Sequence, residues 1–220
     1  MKWKLKLIKK SKTSINGKDN LEMINKTLDF YNNNSKSYIE STLSVDMSHL
    51  YKDFLKYIPK DGHILDLGCG SGRDSLEFIK KGYNITAVDG SKELAIATSK
   101  IIGKEVICSK FEDLQLTESF HGIWACASLL HVNKKHIIDV IKNISCNLKD
   151  NGVFYMSFKY GEDEYVDENG RYFNCYTEET FKDMIAQVSN LKIKNIYKSG
   201  DTLGGRNNLE WLNILCIKVN

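Results

Sequence analysis

The sequence HILDLGCGSGRD, residues 63–74, decides the fold of this chain. It opens with HILDL, an apolar run that stops at a glycine, which is typical of a buried β-strand. Gly68, Gly70 and Gly72 allow the backbone to turn sharply and to approach a ligand without a side-chain clash. Because a helix is predicted from about Asp74, the stretch reads as a strand, a glycine loop and a helix, the context of a nucleotide-binding loop.

A carboxylate follows at the distance expected for binding a ribose. Asp89 ends the next predicted strand, 21 residues after Gly68. An acid at this position of a strand–helix–strand unit accepts hydrogen bonds from the ribose hydroxyls of a bound nucleotide. The glycine loop and Asp89 together predict a ribose-bearing cofactor across the carboxyl ends of the strands.

The residues around the loop favour S-adenosylmethionine over a dinucleotide. The third glycine comes one residue early for the dinucleotide fingerprint, and Arg73 stands where that fingerprint has glycine. Asp66 would repel a pyrophosphate, but it suits the ammonium group of methionine, and Arg73 suits the methionine carboxylate. We therefore predict that the cofactor is S-adenosylmethionine.

Strands and helices alternate through the rest of the chain. Further strands are predicted at 84–88, 105–108, 122–127 and 153–158, with helices between them. This alternation indicates a mostly parallel, doubly wound sheet. The last two strands, 191–198 and 210–218, have no helix between them and must pair antiparallel. The predicted fold class is α/β, a seven-stranded Rossmann-like sheet with one antiparallel strand.

Two helices can be delimited from apolar residues that repeat at three- and four-residue steps. The first runs over residues 46–58 and is ended by Pro59, and the second runs over residues 134–149. Ser91 and Thr177 are predicted to cap two other helices, because a side-chain hydroxyl can accept from the first unpaired N–H groups.

The positive charge of the chain is concentrated near its start. The whole chain has a formal net charge of +3, but residues 1–20 carry +6 and the remaining 200 residues carry −3. We predict a mobile basic arm at 1–20 and a single domain at 21–220, with a helical cover at 21–60 and an α/β core at 61–220. Because the body is acidic, nucleic acid is not the expected partner.

Composition and cysteine spacing exclude several classes of protein. Apolar residues make up 42% of the chain and charged residues 27%, which is globular rather than disordered composition. The six cysteines include no C-x-x-C pair, so neither a disulfide framework nor a metal site is predicted. With neither an export signal nor a membrane span predicted, we expect a cytoplasmic protein. Nothing in the sequence indicates the oligomeric state.

Several segments resemble one enzyme family. ILDLGCGSGRDS followed by GYNITAVDGS resembles the first two motifs of class I S-adenosylmethionine-dependent methyltransferases, and GCGSGRDS is similar to the small tellurite-resistance-type branch. FEDL resembles the third motif, FHGIWACASLLHV the fourth and NGVFYMSFKYGEDE the fifth-strand region, while FYNNNSKSYIE resembles the segment that covers the cofactor. The resemblance runs from about Tyr31 to the C-terminus and implies the strand order 3-2-1-4-5-7-6.

The resemblance also implies roles in binding the cofactor. The acid before the loop and the three glycines would shape the methionine end, the arginine would lie near the methionine carboxylate, and two tyrosines would help to close the site. Many relatives have an aspartate for the adenine amino group near residue 110 or 111, and this chain has none there. Glu112, Asp113 or backbone groups around Phe111 must substitute. The implied cofactor-binding residues are Tyr31, Tyr38, Asp66, Gly68, Gly70, Gly72, Arg73, Asp89, Phe111 and Glu112.

The methyl acceptor is expected beyond the ends of the fourth and fifth strands. His131 follows the fourth strand and is our candidate base for removing a proton from the acceptor, although a hydrogen-bonded structural histidine fits equally well. The long polar segment 159–176 is predicted to form either a substrate wall or a solvated flap. Within it, Lys159, Tyr160 and Arg171 are candidate substrate contacts.

The predicted activity is direct in-line transfer of a methyl group to a small-molecule acceptor. Because the sulfonium is already activated, the main task of the protein is to align a lone pair of the acceptor with the methyl–sulfur bond. Two alternatives stay open. One is an RNA or DNA methyltransferase that uses the basic arm for phosphate contacts, and the other is a non-catalytic regulatory module that binds S-adenosylmethionine.

Overall fold

The computed structural model describes residues 17–202 and 209–219. Residues 1–16 of the predicted basic arm lie outside this range. The first helix, α1, spans Gly17–Asn33 and so begins four residues inside the predicted arm. Ile24, Leu28 and Tyr31 recur along it at helical spacing and form its apolar face. The helix begins seven residues before Ile24.

Two shorter helices continue the N-terminal cover. They are α2, Ser35–Thr42, and α3, Ser48–Leu55. The helix predicted at 46–58 is therefore too long at both ends. Its last turn tightens, because the N–H groups of Tyr57 and Ile58 bond to carbonyl oxygens three residues earlier. Pro59 follows directly, and a proline disfavours helical geometry in the residue before it.

Seven strands form one sheet in the order β3-β2-β1-β4-β5-β9-β8. The strands are β1, His63–Leu67; β2, Asn84–Asp89; β3, Val106–Cys108; β4, Phe120–Ala125; β5, Leu148–Lys159; β8, Leu191–Gly200; and β9, Glu210–Lys218. All neighbours pair in parallel except β9, which is antiparallel to both β5 and β8. The predicted α/β class and the strand order 3-2-1-4-5-7-6 are confirmed.

Four helices cover the two faces of the sheet. They are α4, Arg73–Lys80; α5, Lys92–Ile102; α6, Ile137–Ser145; and α7, Glu178–Ile185. The Ser91 hydroxyl accepts from the N–H of Leu94, and Thr177 forms a reciprocal capping box with Thr180, so both predicted caps are confirmed. Each cap fixes where the chain leaves a strand and turns into a helix.

The structure differs from the sequence prediction around β4 and β5. β4 ends at Ala125, two residues early, because Ala127 turns the chain with a φ of 52°. β5 begins at Leu148, inside the helix predicted at 134–149, since Leu148 pairs with Phe120 of β4. A bulge then separates this pair from the main ladder. Leu148 is buried in either assignment, so its burial pattern alone could not separate the helix from the strand.

The segment predicted at 159–176 as a wall or a flap contains a small hairpin. Its strands are β6, Glu164–Val166, and β7, Tyr172–Asn174, and they pair antiparallel outside the main sheet. β7 is buried along its whole length, whereas the ends of β6 are exposed. The hairpin therefore forms a wall on its inner side and meets solvent on its outer side.

The core lies on both faces of the sheet and is rich in aromatic rings. Trp124 of β4 is fully buried and stacks on Tyr155 of β5 with ring centroids 3.9 Å apart. Phe54 of α3 and Phe78 of α4 pack on the same indole. Within the two described ranges, no helix has the length and apolar character needed to cross a bilayer.

Candidate active site

The loop between β1 and α4 is held in a left-handed conformation by its glycines. Gly68, Gly70 and Gly72 have φ values of 80°, 54° and 78°. The N–H of Gly68 donates to the carbonyl of Val88 at 2.8 Å, which anchors the loop to the end of β2. A Cβ on Gly68 would lie 2.4 Å from the Cβ of Ser128. The absence of a side chain there is therefore a steric requirement, and it keeps the backbone open to a ligand.

Asp89 closes the other side of this loop. Its two carboxylate oxygens accept from the N–H groups of Gly70 and Ser91, each at 2.8 Å. Burial raises the pKa of Asp89 to about 6, although both backbone hydrogen bonds favour the charged form. The backbone thus fixes the orientation of a buried carboxylate whose remaining lone pairs can accept from a diol.

A cleft lies over the loop and is roofed by the N-terminal cover. Phe111 and Glu112, in a short 3-10 helix after β3, line it together with Asp89, whereas Asp113 is not among its lining residues. Apolar contacts come from residues that α1 and α5 supply, among them Leu28 and Leu94. The mixture of apolar walls, an acid and open backbone suits a purine nucleoside.

Tyr31 and Tyr38 form the roof above the glycine loop. Their rings meet edge to face with centroids 5.3 Å apart. The ring of Tyr38 lies 3.1 Å from the position that a Cβ on Gly70 would occupy. Burial raises the pKa of Tyr31 to about 12, and it also raises the pKa of Tyr38, so both phenols are neutral at physiological pH.

A second, larger cavity of about 820 Å³ adjoins the cleft. Tyr31, Tyr38, Cys126 and Ala127 line both spaces. The walls of this cavity come from α1, α2, the start of α3, β5, the β6–β7 hairpin and the β8–β9 connection. The two spaces therefore meet at the carboxyl end of β4, where a group carried by one ligand could reach another.

Comparisons with known proteins agree with this arrangement. Residues 64–152 match a family model described as a methyltransferase domain. A curated protein of Bacillus subtilis (strain 168) named as a methyltransferase, YqeM, is 32% identical over 132 residues, which are 53% of this chain and 53% of that protein. The chain thus spans about half the length of this relative. The matched segment contains the glycine loop and the strands β2, β3 and β4.

The core of this chain is similar to a methyltransferase domain over residues 64–152. Its fold is shared by the Burkholderia thailandensis 1,6-didemethyltoxoflavin-N1-methyltransferase, crystallised with 1,6-didemethyltoxoflavin and S-adenosylhomocysteine. That structure has a TM-score of 0.76 at 16% identity, covering 97% of this chain and 94% of the other. The [4+2]-cyclase SpnF also has this fold, with a TM-score of 0.61 at 15% identity over 77% of this chain and 80% of its own. The fold alone does not fix the reaction.

The side chains predicted to contact the methionine form hydrogen bonds with other protein groups. The Ser75 hydroxyl donates to Asp66 at 2.6 Å, and burial, together with the nearby Asp74 carboxylate, raises the pKa of Asp66 to about 8. Arg73 pairs with Asp74 through two hydrogen bonds of 2.6 and 2.9 Å and lines the larger cavity, not the cleft. The roles of Asp66 and Arg73 in binding the methionine stay predictions. In each case the side chain would have to give up its present partner or share it with the ligand.

Asp74 organises this part of the domain, and the sequence reasoning missed it. Besides Arg73, the Tyr51 hydroxyl donates to it at 2.6 Å and the Trp124 indole N–H at 2.8 Å. Burial would raise the pKa of Asp74, but Arg73 and the hydrogen bonds hold it below its ordinary value. The available signal in the sequence was an acid directly after the arginine of the loop. At that position Asp74 is also explained as the first residue of the predicted helix.

His131 lies beneath Tyr31 at the end of a short 3-10 helix, Leu129–His131. Its Nδ1 is 2.6 Å from the carbonyl oxygen of Tyr172, and its Nε2 is 2.8 Å from the Tyr31 hydroxyl. Burial, with smaller contributions from the charges of Arg171 and Lys159, lowers its pKa to about 4. The imidazole is therefore neutral at physiological pH, and it connects α1, β4 and β7.

Two of the three predicted substrate contacts line the larger cavity. The Lys159 ammonium lies 3.4 Å from the ring centroid of Phe173, and the Arg171 guanidinium lies 4.4 Å from that of Phe30. Arg171 also pairs with Asp167 at 2.7 Å. Tyr160 is 37% exposed under Lys198 and lines neither space. The structure therefore brings Lys159 and Arg171 to the cavity and leaves Tyr160 outside it.

The residues that line the cleft fit S-adenosylmethionine. The oriented carboxylate of Asp89 suits the ribose hydroxyls, and Gly68 and Gly70 present backbone rather than side chain to the ligand. Phe111 and Leu28 offer apolar surface to a base on the far side of the ribose.

Proposed function

We propose that this protein transfers a methyl group from S-adenosylmethionine to a small-molecule acceptor. The observation that carries the proposal is the junction of the two spaces at Tyr31, Tyr38, Cys126 and Ala127. The cleft on one side has the groups for a nucleoside, and the cavity on the other side has room for a separate molecule. In-line transfer needs this arrangement, because the acceptor must approach the methyl group from the side opposite the sulfur.

The chain's own residues divide the work between the two spaces. When bound, S-adenosylmethionine supplies a methyl group already activated by a sulfonium. Asp89 binds the ribose, Phe111 and Glu112 flank the base, and the glycine loop approaches the methionine end with Asp66 and Arg73 beside it. The tyrosines of the cover exclude water from the junction, which strengthens the electrostatic contacts inside it.

The acceptor cavity favours a small, partly aromatic ligand. Phe30, Phe173 and Trp211 supply apolar surface, while Lys159 and Arg171 supply positive charge. Its volume of about 820 Å³ is that of a site for a small organic molecule. The Burkholderia thailandensis neighbour, which was crystallised with the small molecule 1,6-didemethyltoxoflavin, supports the same class of acceptor.

Three finer assignments belong to the proposal. The first is the tellurite-resistance-type branch, which the motif GCGSGRDS supports. A cytoplasmic location is part of the proposal, and nucleic acid is not the proposed partner because the body of the chain is acidic. The basic arm, which an RNA or DNA methyltransferase would use, lies outside the described residues up to residue 16.

The proposal is tested with the full chain in two steps. Calorimetry with S-adenosylhomocysteine measures cofactor binding, and a panel of small thiols, amines, phenols and aromatic nitrogen heterocycles is then screened for S-adenosylhomocysteine formation. We expect binding and turnover of at least one panel member. Tight binding without any turnover would favour the regulatory module instead, and turnover only of RNA or DNA, lost on deleting residues 1–20, would favour the nucleic-acid alternative.

A further inference from the structure

Tyr31 occupies a special position among the four residues at the junction. Its ring belongs to the cover helix α1, and its hydroxyl crosses to a residue 100 positions later in the chain, His131. Ala127 has no polar side-chain atom, and Cys126 lies 3.6 Å from the Arg73 guanidinium, so its sulfur is already engaged. The Tyr38 oxygen lies 3.2 Å from the position of a Cβ on Gly70 and so faces the glycine loop. Tyr31 thus lines both spaces, and its hydroxyl is anchored to His131.

The direction of the hydrogen bond between Tyr31 and His131 follows from the second contact of the imidazole. Nδ1 lies 2.6 Å from the Tyr172 carbonyl, which can only accept. Nδ1 must therefore carry the proton, and in the neutral ring Nε2 is an acceptor. The Tyr31 hydroxyl consequently donates to Nε2 across the 2.8 Å contact. Both ring nitrogens of His131 are occupied by protein groups.

This direction leaves the oxygen of Tyr31 as an acceptor. A phenol that commits its proton to one partner retains lone-pair capacity for a donor on another side. The Arg171 guanidinium is a hydrogen-bond donor to the Tyr31 oxygen and lowers the pKa of the phenol against the larger effect of burial, so one lone pair of the oxygen is taken and one remains. An acceptor molecule with an N–H or O–H group can donate to this oxygen and so be held in one orientation.

The charged groups around the pair keep the imidazole neutral. Arg171 and Lys159 face His131 from the hairpin and from β5 and disfavour its protonation, while Asp167 on the hairpin opposes them. Asp89, from β2, and Asp167 act on Tyr31 in the sense that keeps its proton in place. A proton taken by His131 would therefore be placed next to two cations.

We propose that Tyr31 is the residue that contacts the methyl acceptor, through its hydroxyl oxygen, and that His131 acts only through Tyr31 as a positioning residue. The inference rests on the proposed function and names the acceptor as a molecule bearing an N–H or O–H donor. It replaces the predicted role of His131 as a base, because neither ring nitrogen is directed at the cavity with a lone pair to spare. The hydrogen bond to Tyr31 orients the acceptor and takes no proton from it, and the proton that an N–H or O–H group loses on methylation passes to solvent.

Substitutions of His131 separate positioning from base catalysis. Glutamine places an oxygen acceptor near the position of Nε2 but cannot take up a proton, whereas leucine fills the space without an acceptor. With the panel member that gives the highest turnover, we expect His131→Gln to retain kcat/KM within about 3-fold. We expect His131→Leu and Tyr31→Phe each to lose about 10-fold, the effect of one neutral hydrogen bond. Affinity for S-adenosylhomocysteine should stay unchanged in all three.

A matched control is Tyr83→Phe, which removes a phenol oxygen directly before β2. This position is at the amino end of the strand, whereas the site lies at the carboxyl ends. It should leave kcat/KM unchanged. A general base typically contributes about 100- to 10,000-fold. If His131→Gln were as inactive as His131→Leu, with losses of that size, His131 would be a base and the inference would be overturned. A wild-type protein that forms no S-adenosylhomocysteine with any acceptor would instead overturn the proposed function.

The second measurement needs neither cofactor nor acceptor. Nitrogen-15 NMR of the imidazole in the full chain reports which ring nitrogen carries the proton. We expect His131 to show a protonated Nδ1 and an unprotonated Nε2 from pH 5 to pH 8, with the Nε2 resonance shifted in Tyr31→Phe. Titration of His131 between pH 6 and pH 7, or a protonated Nε2, would contradict the proposed hydrogen-bond direction.

Discussion

The cofactor cleft and the acceptor cavity share four residues, but the chain builds them in different ways. The base of the cleft is a continuous piece of sequence from β1 to the start of α5, in which Asp89 is held by backbone N–H groups of the same piece. The cavity draws its walls from elements spread between α1 and β9. Local turns fix the base of the cleft, whereas the cavity forms only after the whole chain has folded.

This difference explains why the chemistry of the cofactor is easier to infer than that of the acceptor. Left-handed glycines and an acid at a strand end impose local geometry that few ligands match. The cavity is defined by aromatic and charged side chains whose neighbours are distant in sequence, such as Arg171 against Phe30. Substitutions in the two regions should therefore separate cofactor affinity from acceptor recognition, and the following predictions use that separation.

The largest effect is expected for Gly68→Ala. The new Cβ would lie 2.4 Å from the Cβ of Ser128 at a residue with a φ of 80°. Overpacking of this kind costs about 1–3 kcal/mol and left-handed strain about 1–2 kcal/mol. We expect calorimetry to show that S-adenosylhomocysteine binds about 100-fold or more weaker.

The matched control for this change is Gly103→Ala. Gly103 has a φ of 68°, but nothing lies within 4 Å of the added Cβ. It should lower the free energy of unfolding by about 1–2 kcal/mol through strain alone and leave the affinity for S-adenosylhomocysteine unchanged. Equal losses of affinity in the two variants would show that the glycine loop acts through overall stability and not through the shape of the cleft.

Asp89→Ala should have the next largest effect on the cofactor side. It removes the carboxylate that accepts from Gly70 and Ser91 and leaves both N–H groups without that partner. An unsatisfied buried polar group costs about 1–3 kcal/mol, so S-adenosylhomocysteine should bind about 10- to 100-fold weaker by calorimetry. Asp139→Ala, at an exposed acid on α6, is the control. Normal affinity in a folded Asp89→Ala protein would rule out the ribose assignment.

Arg171→Ala should separate the two regions in the opposite direction. It removes a cation of the cavity that pairs with Asp167 and stacks on Phe30. We expect the KM for the acceptor to rise about 10-fold, as for loss of one charge-assisted hydrogen bond, with unchanged affinity for S-adenosylhomocysteine. Steady-state kinetics and calorimetry on the same variant provide both numbers.

Lys198→Ala is the control for the loss of a cation, because Lys198 pairs with Glu210 and covers Tyr160 outside both spaces. It should leave the KM for the acceptor unchanged. A fall in cofactor affinity in Arg171→Ala, with no change in acceptor KM, would place Arg171 in the cofactor site and remove the proposed division between the spaces.

The smallest effect is the pH dependence that Asp89 imposes. Its pKa of about 6 in the folded protein lies above the usual value of about 3.9 for aspartate. The proton thus favours folding below about pH 4, and this contribution is lost as the pH rises through about 6. Cofactor binding should change in the opposite sense, because the ionised carboxylate is the better acceptor for ribose hydroxyls.

We therefore expect S-adenosylhomocysteine to bind a few-fold weaker at pH 5 than at pH 7 in the wild-type protein, and to show a flatter profile in Asp89→Asn. Denaturant unfolding of the same pair over this range should show the wild type losing stability relative to Asp89→Asn as the pH rises. Parallel profiles for the two proteins would assign the pH dependence to another group.

Much of the fold followed from the sequence because its signals are local. The glycine loop, the hydroxyl caps at Ser91 and Thr177, and the missing helix before β9 each act within a few residues. The start of β5 did not follow, because Leu148 is buried whether it ends a helix or begins a strand. Boundaries set by pairing with a distant strand have no local signal.

The candidate site divides in the same way. Asp89 and the glycines were identifiable by their positions on a strand–turn–helix unit. The pair formed by Tyr31 and His131 joins residues 100 positions apart, and the Asp74 cluster joins α3, α4 and β4. Such contacts depend on how the cover helices pack over the sheet, which residue spacing along the chain does not specify. The role of each residue in turnover stays a prediction.

A crystal structure with S-adenosylhomocysteine bound tests the central claim most directly. The account predicts the ribose hydroxyls on Asp89 and the sulfur at the junction lined by Tyr31, Tyr38, Cys126 and Ala127, with the larger cavity left open for the acceptor. A sulfur away from this junction would contradict the division of the molecule into a cofactor cleft and an acceptor cavity.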